Sequence, residues 1–194
     1  MVDLELGKKL SDCATEYANT TISALKFPGG VHPPTVIAAC ARMAGTSLFR
    51  SFALHLPNAK PGQAVLSSEA DQHSPMLLRT AAGILATLGI TLPASPNGEL
   101  PDDKAKPMQG FLQTQRLLEP LFLPIQAKYA LSARQAGQAA AIATALLIHH
   151  FAKHLAPSVA FGLAAFSFVE GSKTAPEPVT LGKNADYRFI PADG

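Results

Sequence analysis

Residues 33–55 read PPTVIAACARMAGTSLFRSFALH, and this stretch decides the fold. Pro33 and Pro34 suit the first turn of a helix, where a missing amide proton leaves no hydrogen bond unmade. Behind them Val36, Ile37, Cys40, Met43, Ala44, Leu48, Phe49 and Phe52 surround most of a helical circumference, so the reading is a helix from Pro33 to about His55 that is buried on nearly all sides. Ala38, Ala41 and Gly45 are small enough to admit another backbone at close range. A helix of this kind belongs at the centre of a helical fold.

Working outward, Asp3 reads as the N-cap of a first amphipathic helix with Leu6, Leu10, Cys13, Tyr17 and Ala24 on one side, broken by Phe27-Pro28-Gly29-Gly30. Residues 56–73 are rich in proline, glycine, serine and asparagine and read as a loop. Ser74-Pro75 then reads as cap and first turn of a third helix that stops at Gly89 and Pro93. Residues 93–107, PASPNGELPDDKAKP, combine proline with alternating charge and read as a mobile surface loop. A fourth helix is expected from Pro107 to Tyr129, kinked or broken at Pro120 and Pro124. Ser132 reads as the cap of a fifth helix reaching His154, and Pro157 opens a sixth through Phe168. From Glu170 onward helical periodicity fades. The expected architecture is therefore all-α, a single bundle-like domain of five to seven helices over residues 1–169, with an extended C-terminal arm over 170–194.

Composition bounds the function. The 194 residues are 47% hydrophobic and only 15% charged, which excludes a wholly disordered chain. A net charge of +2, no tryptophan and no basic cluster argue against nucleic acid as partner. The apolar run from Ala139 to Ile148 falls well short of the 18 or so residues of a membrane span, so no membrane partner is expected. The opening MVDLELGKKL lacks the apolar core of a secretory signal, and Cys13 and Cys40 lack zinc or CxxC spacing; both facts read as a cytoplasmic protein with reduced thiols. Charge this sparse covers a surface of roughly 8,800 Å² thinly, so the chain is expected to form a homo-oligomer.

Two constellations bear on chemistry. Arg42 and Arg50 interrupt the apolar central helix two turns apart, and Arg79 lies on the third helix. A buried guanidinium needs a partner. Glu16, Glu69, Asp71 and Glu119 are candidate acids for structural pairs. The functional alternative is a site for a small anionic ligand formed by Arg42, Arg50 and Arg79, with the helix start at Thr35 and the preceding His32 supplying further donors. The second constellation is His149, His150 and His154. His150 and His154 at i, i+4 spacing share a helical face and can hold a divalent metal, yet no acid occurs between Glu119 and Glu170 to complete a site nearby. The same histidines also suit the negative end of a helix dipole.

No phosphate loop, GxGxxG, GxSxG or EF-hand pattern is present, so no nucleotide or calcium cofactor is indicated. The sequence thus favours a protein that binds a small anionic ligand or a protein partner around its central helix. The alternatives are a metal-dependent enzyme using the helix-borne histidines and a purely structural, oligomer-forming chain.

Overall fold

The computed structural model describes residues 2–178 apart from 55, 57 and 93–105. Within them the chain is all-helical, with α1 (Val2–Ala24), α2 (Pro33–Ser51), α3 (Ser68–Thr87), α4 (Phe111–Lys128), α5 (Ala133–His150) and α6 (Pro157–Ser172). The expected fold class is the observed one. No strand occurs among the described residues; two isolated bridges, Phe27 with Gly30 and Ala64 with Thr174, are the sole extended pairings there.

The centre is α2, as its sequence requires. Thr35 to Thr46 are buried without interruption, and the helix packs most extensively on α6 and α5, less on α4, α1 and α3. Small residues set that geometry. A Cβ on Gly45 would lie 2.5 Å from the Phe168 carbonyl oxygen, and one on Gly171 would lie 2.2 Å from that of Arg42. Both distances are below any real carbon contact, so α2 and α6 cross at backbone range because glycine stands at both positions. Gly137 of α5 approaches the other side of α2, where its Cβ would meet the Ala44 carbonyl at 3.0 Å. The alanines of α5, including Ala139, Ala140, Ala141 and Ala143, are fully buried, completing a core built more by close helix approach than by large side chains.

Larger side chains complete this core. Tyr17 of α1 stacks on Phe122 of α4 with ring centroids 3.9 Å apart and planes 8° from parallel, and its hydroxyl donates to the Phe122 carbonyl at 3.4 Å. Burial drives the Tyr17 hydroxyl pKa far above the usual phenol range. Its role is therefore that of a neutral donor.

Several helix ends differ from expectation, each for a local reason. Ser67, rather than Ser74, caps α3: its hydroxyl accepts from the Ala70 amide at 3.1 Å, and Glu69 and Asp71 follow in the first turn, where the helix dipole favours them. Pro75 therefore lies inside the helix, where it has no amide proton to donate to the Asp71 carbonyl one turn before it. α2 stops at Ser51 because Ala53 turns left-handed, with φ +50°. α4 runs unbroken through Pro120 and Pro124, both of which face solvent, so water can serve the carbonyls they free. Ser132 caps α5 as expected, in a reciprocal box with Gln135. That helix ends at His150, four residues short of expectation, and α6 continues to Ser172.

Beyond α6 the chain runs extended. Lys173 and Ala175 exchange backbone hydrogen bonds with the α2–α3 connection: Val65 donates to the Lys173 carbonyl (2.7 Å), Gly62 to that of Ala175 (2.8 Å), and Ala175 to that of Gln63 (2.8 Å). Most of the expected mobile loop, 93–105, and the remainder of the arm, 179–194, lie outside the described residues.

Candidate functional site

The two arginines of α2 are buried as their helix demands, and each has found an acid. Arg42 donates through Nε to Glu170 of α6 (2.6 Å) and through Nη1 to the Gln109 carbonyl (2.5 Å). Arg50 forms a two-point pair with Glu119 of α4, from Nε to Oε1 and from Nη2 to Oε2 (2.9 Å); Nη2 also reaches the Glu177 carbonyl (2.6 Å). Both side chains of this second pair are 6% exposed. Gln115 knits the pair to the arm, donating to Glu119 Oε2 (2.7 Å) and accepting from the Glu177 amide (2.9 Å). On the outer side Arg116 grips the Glu177 carboxylate at 2.5 and 2.8 Å, which holds that carboxyl below the ordinary glutamate range. The described part of the arm is thus fastened to α4 and α2 by charged and backbone groups together.

The residues singled out from the sequence do not converge on one site. Arg42 and Arg50 are each committed to a different glutamate. Thr35 accepts from the Met108 amide (2.9 Å) and shares a hydrogen bond with His32 Nδ1 (2.8 Å), so these two residues fix the start of α2 and the segment before α4. Arg79 is exposed on α3. His149 and His150 are exposed in the last turn of α5, whereas His154 lies beyond the helix end in a tight turn, its amide donating to the Phe151 carbonyl (2.8 Å). His154 thus lies outside the helix that carries His150. Among the described residues no group of three or more His, Cys, Asp or Glu could hold a metal ion.

Two concavities adjoin the C-terminal half of α2. The larger, about 480 Å³, is lined by Ser51 and Phe52 after Arg50, by Glu69 and His73 of α3, and by Ser132, Ala133 and Arg134 at the start of α5. His73 stacks against Phe52 with centroids 5.9 Å apart, and Arg134 donates through Nη2 to His73 Nδ1 at 3.2 Å. Guanidinium has no acceptor, so Nδ1 must accept, and the neutral imidazole carries its proton on Nε2. The smaller recess, about 70 Å³, lies between α2 and α4 and is bounded by Met43, Ser47, Arg50, Glu119, Phe122 and Gln126, among others. Ala133 lines both.

Glu69, His73 and Arg134 were not legible as a site. They come from helix starts 65 residues apart, and residues 56–73 carry a loop-like composition that hides the first turn of α3. The one available signal was Ser132, whose capping role correctly fixes Arg134 in the first turn of α5.

No family model matches the chain, and neither the curated proteins nor the solved structures searched contain a match.

Proposed function

We propose that the protein is a homo-oligomeric binding protein whose 480 Å³ cleft takes a small anionic ligand. The observation that carries the reading is the cleft itself. Its volume falls in the range of small-molecule sites, and it brings a guanidinium (Arg134), an imidazole N–H (His73 Nε2) and the first amides of α5 to one place. The Ser132–Gln135 box leaves the Ala133 and Arg134 amides at the start of this 18-residue helix without an intrahelical acceptor, and their partial positive charge adds to the attraction of a carboxylate or phosphate. Glu69 on the α3 wall suits a donor elsewhere on the same ligand, and Phe52 an apolar body. Hydroxy acids and amino acids have this combination. Titration of the protein with a panel of hydroxy acids, amino acids and inorganic phosphate tests the reading. A saturable rise in Tm that Arg134→Ala abolishes supports it; no response across the panel refutes it. Binding to the native state alone at 100 times Kd stabilises by about 2.7 kcal/mol.

The oligomeric part rests on α6. From Pro157 to Val169 this helix carries no charged side chain, and its outward face leaves Phe166 64% and Val169 40% exposed. A second copy can cover that face without bringing like charges together. Sedimentation of the wild type as a dimer or larger, with Phe166→Glu returning about 20 kDa, is the expected result. A cytoplasmic location is supported by the free, buried thiols of Cys13 and Cys40. No helix among the described residues is long and apolar enough to cross a membrane.

A further inference from the structure

The outer face of α4 is apolar where it meets solvent. Leu117 (36% exposed) and Leu121 (42% exposed) stand one turn apart, and the exposed Pro120 and Pro124 lie on the same side. At spacings of three and four these residues form a stripe about 10 Å long that ends before Lys128. The two prolines have no amide proton, so the carbonyls of Arg116 and Pro120 receive no donor from within the helix on this side. A backbone lying along the stripe can bring amides to them.

The C-terminal arm is delivered to this face. Gln115 donates to the Glu177 carbonyl (3.0 Å) and accepts from its amide (2.9 Å), while Arg116 Nε holds the Glu177 carboxylate at 2.8 Å. Arg116 adjoins Leu117 in the chain, so Glu177 is fixed at the N-terminal end of the stripe. After Pro178 the sequence continues Val179-Thr180-Leu181-Gly182-Lys183-Asn184, two apolar residues two apart and then a polar run. Residues two apart in an extended chain share one side at a separation of about 6.6 Å. Leu117 and Leu121 are separated by about 6 Å along α4.

We propose that Val179-Thr180-Leu181 of this chain docks in extended form along the outer face of α4, with Val179 on Leu117, Leu181 on Leu121 and Thr180 toward solvent. The amides of this segment lie within reach of the carbonyls freed by Pro120 and Pro124. Area decides between this occupant and a second copy. Two partly exposed leucines and two prolines supply far less than the roughly 1,200 Å² of a stable interface between separate molecules. A segment tethered at Glu177 loses no translational freedom in docking, so a small contact suffices. The docked segment is distinct from the cleft at His73 and Arg134 and from the α6 face, and it stands or falls separately from both.

The test uses the full chain with Leu and Val methyl groups labelled for NMR. Wild-type protein is expected to show nuclear Overhauser contacts between Val179 and Leu117 and between Leu181 and Leu121. In a sample mixing labelled with unlabelled chains, these contacts should remain within one chain. Leu117→Asp combined with Leu121→Asp, both on the solvent side of α4, should speed amide exchange at residues 179–181 by at least about tenfold. Phe166→Glu, aimed at the α6 face, and Arg134→Ala, aimed at the cleft, should leave the contacts intact. Three results overturn the proposal: no contact between these methyl groups in the wild type, contact only between different chains, or unchanged exchange at 179–181 in the folded double variant. The wild-type contacts decide the question even where a variant fails to fold.

Discussion

Gly45 of α2 and Gly171 of α6 face each other so closely that a Cβ on Gly171 would stand 3.0 Å from the Gly45 Cα. The central helix α2 and α6, the helix it packs on most extensively, are therefore joined through backbone, and any side chain at either position must push them apart. Gly171→Ala is expected to destabilise by about 1–3 kcal/mol and Gly45→Leu by at least as much, by overpacking. Gly83 of α3 is the contrasting case, exposed and with open space around its absent Cβ. Gly83→Ala should stabilise by about 0.5–1 kcal/mol through helix propensity alone. Urea unfolding of the three variants measures the difference; a neutral Gly171→Ala would mean that the helices cross at greater range.

The Arg50–Glu119 pair makes a prediction of opposite sign for single and double changes. Arg50→Met leaves the Glu119 carboxylate buried without its counter-ion, and Glu119→Met leaves the guanidinium in the same state, so each is expected to cost about 3–5 kcal/mol. Arg50→Met combined with Glu119→Met removes both charges and should recover most of that loss. A double-mutant cycle showing simple additivity would place the two charges in separate, solvated environments.

Acid should loosen the fastening of the arm. Arg116 holds the folded pKa of Glu177 below the 4.5 of an unperturbed glutamate. For a carboxyl depressed in the folded state, the unfolded chain takes up the proton first. The contribution of the pair is therefore present in full above the unfolded pKa and is lost as pH falls from 4.5 through the lower folded value. Unfolding midpoints measured between pH 6 and 3 should fall more steeply in the wild type than in Arg116→Ala. Parallel curves would show that the pair contributes nothing.

The two thiols should be inert in the native protein. Burial pushes Cys13 up to about 11 and Cys40 up to about 12, so almost no thiolate exists at neutral pH. Both side chains are also inaccessible. Neither should react with iodoacetamide at pH 8 until the chain is unfolded in denaturant, after which both should react; mass spectrometry counts the adducts. Prompt native labelling of Cys40 would require α2 to detach from α5, whose Ala140 carbonyl accepts from the Cys40 thiol at 3.5 Å.

The fold was legible in the sequence where local signals and burial agree. Pro33 and Pro34, the apolar circumference behind them and Gly45 sufficed to identify a central helix crossed at close range, and Ser132 located the start of α5. Helix ends were less legible where two signals compete. Ser67 and Ser74 both precede helix-forming sequence, and proline after Ser74 made the wrong one look stronger. At Pro120 and Pro124 the outcome depends on which face meets solvent, a tertiary fact that composition does not contain. The arginines illustrate the limit for function: their need for partners followed from α2, but Glu170 lies 128 residues from Arg42 and Glu119 lies 69 from Arg50. Glu119 stood among the candidate acids and Glu170 did not, and only the folded arrangement shows which glutamate meets which arginine.

The long separation between α2 and α6 also affects how the chain is made. The bare backbone at Gly45 is shielded by a helix that ends at Ser172, so α2 emerges from the ribosome well before the element that covers it. At roughly 5–20 residues per second, the interval from Ser51 to Ser172 is on the order of 6–25 s. During that time a nearly uncharged, all-round apolar helix has no permanent cover on its α6 side. A chain terminated ahead of Pro157 therefore leaves that side of α2 uncovered for good, and it is expected to partition into the insoluble fraction even though α1 to α5 are all present.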